Sequence, residues 1–282
     1  MKVLPFKIPK TQNIGLIYQE DKEQFFYDKF HQHEEIQLCA ILEGEGTLVV
    51  GDTINKYESG DVLVIGSNLP HVFKSDITSI KESFMISLFF TNDSFGKDFF
   101  ALDDFIELNP FFEKSIVGIK LVENQEEVIK LFLELQEATS FDRFLGLLKI
   151  LKIIVHSNIK ELANYVYPKR YTDNEGKRMR NVMDFTMNNF HKNIGLENIA
   201  EKANMTPNAF CRYFKQRTNK TYFTFLNELR IENACKLLLS ENTVAISEIA
   251  YQCGFNNLSN FNRKFKEVKV LSPSAYRKNS GF

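Results

Sequence analysis

Ile246-Ser247-Glu248-Ile249-Ala250-Tyr251-Gln252-Cys253-Gly254-Phe255, followed by Phe261-Asn262-Arg263-Lys264-Phe265-Lys266, is the second copy of a degenerate repeat. Leu196, Ile199, Ala200, Ala203 and Met205 stand fifty residues earlier at the positions of Ile246, Ile249, Ala250, Cys253 and Phe255. Beyond the turn the offset is fifty-one, with Phe210, Arg212, Phe214 and Lys215 matching Phe261, Arg263, Phe265 and Lys266. Each copy opens with apolar residues at i, i+3, i+4 and i+7, the pattern of an amphipathic helix. Each then breaks, at Asn204-Met205-Thr206-Pro207 and at Gly254-Phe255-Asn256-Asn257. Thr206 before Pro207 reads as an N-cap and a proline at the first helical position, and Gly254 supplies the positive φ that ends a helix. The spacing therefore predicts helix, tight turn, helix, twice over. In the second helix of each copy the paired Phe residues take one face, leaving Asn208, Cys211, Arg212 and Lys215, and Ser259, Asn260, Arg263 and Lys266, to project from the other.

The charge of the chain agrees once it is divided. Over 282 residues 35 basic side chains face 36 acidic ones, a net charge of −1 that gives no reason to expect a polyanionic partner. Residues 1–171, however, hold 18 basic against 26 acidic side chains, net −8, whereas residues 172–282 hold 17 against 10, net +7. The basic excess lies where the paired helices are, as expected of a nucleic-acid contact. A major groove admits an α-helix whose Arg pairs bidentately with guanine and whose Asn pairs with adenine, while Lys meets phosphate. Two such helices suit successive major grooves about 34 Å apart. A plain helical bundle with a solvated basic side explains the helices but not their duplication.

Leu229-Arg230-Ile231-Glu232-Asn233-Ala234-Cys235-Lys236-Leu237-Leu238, the Ile246–Phe255 and Phe261–Lys266 stretches, and Ser272-Pro273-Ser274-Ala275-Tyr276-Arg277 closely resemble the DNA-binding domain of AraC/XylS-type transcription regulators. The resemblance covers about residues 178–278. It implies two helix-turn-helix units joined by a long helix near Tyr222–Leu239, with recognition helices near Pro207–Arg217 and Leu258–Val268. Carried over by position, it places base reading on Asn208, Cys211 and Arg212 and on Leu258, Ser259, Asn260 and Arg263, the two arginines foremost. Cys211 and Leu258 suit apolar contact with a thymine methyl, and Thr206, Lys215 and Lys266 suit the DNA backbone. One departure concerns the exit turns. The family usually holds Gly there; this chain has Asn219, which tolerates a left-handed backbone, and Val270, which does not do so cheaply, so a rearranged exit is expected at Val270.

Upstream, residues 28–90 carry short apolar runs at Gln37–Leu42, Thr47–Val50, Asp61–Ile65 and Ser83–Phe90, separated by turn signals. They predict an antiparallel sandwich or barrel. His31-x-His33, Gly44, Gly60-Asp61 and His71 resemble the two short motifs of the cupin barrel, which AraC-type regulators often carry for ligand sensing. Three histidines on adjacent strands suit a metal. Gln37, however, stands where the cupin pattern has its glutamate, and a neutral amide is a poorer ligand than a carboxylate. The expectation is therefore no metal and no cofactor, with His31, His33, Gln37 and His71 lining one end of a barrel that binds a small-molecule effector. The competing reading is a metal-dependent cupin enzyme fused to a DNA-targeting module. It leaves the basic repeat unexplained, and the basic segment shows no nucleophile, phosphate loop or acid/base pair, so an enzyme is not expected.

From Glu123 to Val166 the pattern is helical, and the last helix has a second apolar edge, Phe141, Leu145, Ile150 and Ile153, beyond what one contact surface needs. A homodimer is expected, as the resemblance also implies. Four scattered cysteines argue against disulfides and structural zinc. The start, Met1–Lys7, lacks a signal-peptide core, and the most apolar segment, Phe144–Val155, is broken by Lys149 and Lys152, so no membrane partner is expected and the location should be cytoplasmic.

The expected fold class is multidomain α+β: an N-terminal antiparallel β cupin-like barrel with covering helices, and a C-terminal all-α domain with two helix-turn-helix units. The expected divisions are 1–122 for the barrel, 123–167 for the connecting helices, 168–177 for a polar linker and 178–282 for the DNA-binding domain. The reading is of a regulator, with activation through RNA polymerase as one mode of action, that binds double-stranded DNA.

Overall fold

The computed structural model describes residues 15–76, 82–166, 168, 171–240 and 243–279. The start at Met1–Lys7, Tyr167 at the end of the connecting segment and the linker residues Lys169 and Arg170 lie outside them. The chain divides into two compact units between Gly176 and Lys177.

The first unit is built on two antiparallel sheets. Its strands are β1 (Ile17–Glu23), β2 (Ile36–Glu43), β3 (Gly46–Val50), β4 (Thr53–Tyr57), β5 (Val62–Ile65), β6 (His71–Ser75), β7 (Ser83–Phe90), β8 (Ile119–Leu121) and β9 (Ile159–Glu161). The larger sheet runs β1-β7-β2-β5-β8-β9 and the smaller β4-β3-β6. Alternation along β2 sorts its side chains between two cores. Ile36, Leu38 and Ala40 face a layer of helices, whereas Cys39 and Ile41 face the interior between the sheets with Leu48, Val50, Leu63, Ile65, Phe73 and Met85. Both faces of β2 are thus buried, which is why its apolar run is nearly continuous. β1 is the opposite case: Ile17-Tyr18-Gln19-Glu20-Asp21-Lys22-Glu23 is polar, and its pairing along the whole of β7 makes it a strand.

The helical layer contains α1 (Asn109–Ser115), α2 (Gln125–Glu134) and α3 (Ser140–Val155). Thr139 caps α3 by accepting from the Asp142 amide. Gly146 lets α2 and α3 approach closely, and a Cβ there would press on the Leu135 side chain, which would have to shift. Two expectations are corrected. The segment after α3 is not helical, since β9 pairs with β8 at the sheet edge. Nor does Ile150 belong to an outer edge: it is fully buried with Leu147, Leu151 and Ile154, while Phe141 is 68% and Leu145 40% exposed.

The second unit is helical: α4 (Asp173–Asn189), α5 (Leu196–Lys202), α6 (Pro207–Thr218), α7 (Tyr222–Ser240), α8 (Ile246–Gln252), α9 (Leu258–Lys269) and α10 (Pro273–Asn279). The first turn of α4 falls inside the stretch read as linker, and a reciprocal capping pair explains it, with Glu175 accepting from the Thr172 amide and Thr172 Oγ1 from the Glu175 amide. α7 lies between the repeats, and its Ile231, Ala234, Cys235 and Leu238 join Ile249, Phe261 and Phe265 in one core.

Candidate nucleic-acid interface and barrel site

The turn of the repeat recurs in the backbone of both copies. At the end of α5 the Met205 amide donates to Ala200 O, and at the end of α8 the Phe255 amide donates to Ala250 O, each at 3.0 Å. The residue between takes a positive φ in both copies, 52° at Asn204 and 85° at Gly254. These six-to-one bonds close the same kind of helix-ending turn ahead of α6 and of α9. The exits match as well: Asn219 has φ 53° and Val270 φ 64°. The rearrangement expected at Val270 is therefore absent. The β-branched residue adopts the left-handed conformation, at a cost of about 1–2 kcal/mol, and its side chain is 80% exposed.

On α6, Phe210 and Phe214 are buried, whereas Asn208, Cys211, Arg212 and Lys215 are exposed. On α9, Phe261 and Phe265 are buried, Leu258, Ser259, Arg263 and Lys266 are exposed, and Asn260 is half-buried. Sequence periodicity had separated these faces correctly. The caps differ between copies. Asn257 accepts from the Asn260 amide at 2.8 Å. Thr206 occupies the N-cap position of α6, but its side chain accepts no capping bond, which corrects the role read for its hydroxyl.

Arg263 is pre-organised by its own helix. Its guanidinium donates to Glu267 Oε1 at 2.6 Å and to Asn260 Oδ1 at 2.9 Å. Lys264 and Arg263 together hold the Glu267 carboxyl below the usual range. Arg230 was missed as a functional residue: from α7 it donates to Phe190 O and Lys192 O, both at 2.8 Å, and lies 5.7 Å over the Phe255 ring. It thereby ties the end of α4 to the turn of the second helix-turn-helix. In the sequence it is one residue of the quoted 229–238 stretch, a cation between Leu229 and Ile231.

In the barrel, the structure brings His31, His33, His71 and Gln37 together. One ring nitrogen from each histidine lies within 4.8 Å of the others, and all three residues are buried. Backbone bonds between His31 and His71 clamp their strands together. Each Nδ1 is engaged by a main-chain carbonyl: Lys29 O for His31 at 2.8 Å, Glu35 O for His33 at 2.8 Å and Leu69 O for His71 at 2.9 Å. With the proton on Nδ1, each Nε2 carries a lone pair. His71 Nε2 is buried without a protein hydrogen-bond partner. Burial, then the neighbouring His33, pushes the His71 imidazole down to about 3, so it is neutral. Gln37 Oε1 lies 3.3 Å from His33 Nε2, and its amide nitrogen donates to Ser87 Oγ at 3.1 Å, a partner the sequence did not disclose. Three tautomerically fixed imidazoles with an orphaned buried nitrogen fit a divalent borderline metal such as zinc, nickel or iron(II). His31, His33 and His71 would hold it, and the ion would supply a positive centre for a ligand's donor atom.

A duplicated helix-turn-helix with two exposed cationic recognition faces defines a DNA-binding transcription regulator, and the comparisons with known proteins agree. Residues 199–279 match the family described as helix-turn-helix domain, and residues 19–80 match that described as cupin domain. The chain is 26% identical over 268 residues to YdeC, an HTH-type transcriptional regulator of Bacillus subtilis, spanning 89% of this chain and 87% of that protein. It is 31% identical over 100 residues to an HTH-type regulator of Pseudoalteromonas carrageenovora, covering 36% of this chain and 58% of the relative. Among solved structures, the C-terminal domain of AraT from Geobacillus stearothermophilus aligns with 30% identity and a TM-score of 0.35, over 36% of this chain and 84% of that one. The chain thus carries a cupin domain followed by an AraC-type helix-turn-helix domain, and its relatives are HTH-type transcriptional regulators. Among the described residues no helix is long and apolar enough to cross a membrane.

Proposed function

We propose that this regulator acts in the cytoplasm as a homodimer, reads its operator with α6 and α9, and responds to a small molecule bound at the histidine end of the barrel. The observation that carries the DNA reading is the matched outer faces of α6 and α9 on one repeated backbone. Arg212 and Arg263 are the principal base readers, assisted by Asn208, Cys211, Leu258, Ser259 and Asn260. Lys215, Lys266 and the uncapped hydroxyl of Thr206 contact the DNA backbone. For the effector, the support is a cluster of four buried polar side chains, with Ser87 hydrogen-bonded to one of them. For the dimer, it is the exposed pair Phe141 and Leu145 on α3. The relatives are described as regulators, which favours this function over a cupin enzyme.

Selection of bound fragments from genomic DNA by the full-length protein, with and without candidate metabolites, tests both halves. A recurrent bipartite motif with half-sites one helical turn apart is expected, enriched differently when the effector is present. Recovery of random sequence would overturn the reading.

A further inference from the structure

Gln37 is the residue at the barrel site whose chemistry the regulator assignment does not explain. It lies on β2, opposite Ile65 of β5 and Phe89 of β7, so it is held from both sides of the sheet. Its amide is fixed by Ser87, leaving Oε1 facing His33 Nε2. With the His33 proton on Nδ1, two lone-pair atoms stand 3.3 Å apart, an arrangement that a cation against both would satisfy. Turning the amide over provides the alternative, with its nitrogen donating to His33 and its oxygen accepting from Ser87. The observed orientation would suit a loaded site and the turned one a metal-free site, with Ser87 as the partner in both.

Charge decides what else such a site requires. The donors are three neutral imidazoles and a neutral amide, and among the described residues no carboxylate or thiolate joins the cluster. A divalent ion held by them keeps both positive charges in a place where His71 is 1% exposed. Burying an uncompensated charge is strongly unfavourable. A glutamate at position 37 would offset one charge from within the protein; glutamine leaves that to something from outside.

We propose that Gln37 makes this end of the barrel a two-component site, in which a divalent cation on His31, His33 and His71 is completed by a small carboxylate ligand. This deepens the effector reading and rests on it. The carboxylate supplies the anionic oxygen that the protein withholds, and metal and ligand then bind cooperatively, each improving the other's affinity by the same factor.

The test uses full-length protein without a histidine tag, stripped with chelator and reloaded with Co2+, whose visible absorption reports its ligands. One Co2+ per chain is expected in the wild type, and less than about a tenth of that in His71→Ala, with far-ultraviolet circular dichroism showing that the variant folds. Titration with formate and acetate should shift the visible bands saturably. In Gln37→Glu the metal should still bind, while the anion affinity falls by at least about tenfold because the protein now provides the carboxylate. Three results would overturn the proposal: no stoichiometric Co2+ in the wild type, bands indifferent to formate and acetate, or equal anion affinity in Gln37→Glu. Operator affinity measured on the same samples separates the two readings. A site that takes Co2+ and carboxylate as described supports the proposal even where operator affinity does not change, and in that case it is the sensor reading that fails.

Discussion

Adding one methyl group at Gly254 tests how the second helix-turn-helix is held. A Cβ there would lie 2.7 Å from Phe190 O, 2.9 Å from His191 O and 3.0 Å from Arg230 Nε. The first two are main-chain atoms and cannot swing away, so the loop at 190–192 must move. Movement breaks or stretches the 2.8 Å bond from Arg230 to Phe190 O, a bond from a charged donor worth about 1.5–3 kcal/mol. Holding alanine at a φ of 85° costs about 1–2 kcal/mol more. Against these stands about 0.4–1 kcal/mol from stiffening the unfolded chain. Gly254→Ala should therefore destabilise the helical unit by about 2–4 kcal/mol, a large share of the roughly 5–15 kcal/mol typical of a domain. The chain has no tryptophan, so urea unfolding is best followed by circular dichroism at 222 nm, where the midpoint should fall by about 1–2 M. Asn204→Gly at the matching position should leave the midpoint almost unchanged, because that turn already accepts a side chain. A Gly254→Ala midpoint within 0.3 M of wild type would refute the argument that the Arg230 contacts and the turn compete for one space.

Arg212→Ala and Arg263→Ala should each weaken specific binding by about 1–3 kcal/mol in anisotropy titrations of the selected operator, with unfolding midpoints unchanged; equal operator affinity in both would remove them as readers. Cys211 is exposed while Cys39, Cys235 and Cys253 are buried, and burial pushes the Cys235 thiol up to about 12. One thiol per chain should react rapidly with a chromogenic disulfide, and operator DNA should protect it. In chelator-treated protein, His71 stays neutral when folded but takes a proton near pH 6.5 when unfolded. Its contribution is present above about pH 6.5 and is lost as pH falls from there towards about 3, at up to ~1.4 kcal/mol per pH unit. Urea midpoints at pH 7 and 5 should show the slope, and His71→Gln should flatten it. Phe141→Lys combined with Leu145→Glu should convert a dimer to a monomer in sedimentation analysis; a wild type already monomeric at tens of micromolar would dispose of that interface.

What was legible in the sequence was what repeats. Two copies of one pattern gave the helix-turn-helix pair, and the phenylalanine spacing gave the buried and exposed faces of α6 and α9. Features set by one long-range contact were not legible. β1 is polar and becomes a strand only through β7, while β9 follows a helix and is recruited by β8. Ile150 counted as a surplus apolar residue because a helical wheel does not disclose that the layer beneath α3 is wide enough to cover it. Val270 shows the limit from the other side. Its intrinsic preference argued for a different exit turn, yet packing on both sides of it, at Phe265 and Tyr276, closes the chain into the same turn that Asn219 makes. The barrel site is an intermediate case. The four residues could be named from the motif alone, but their tautomers could not, and the tautomers turn three histidines from a polar lining into a set of converging lone pairs. That distinction lies in three carbonyl groups, of Lys29, Glu35 and Leu69, whose side chains carry no signal of it. The same three bonds explain why the departure at Gln37 has a chemical consequence: with the imidazoles fixed as neutral donors, the charge at the site is set by residue 37 and by whatever anion enters.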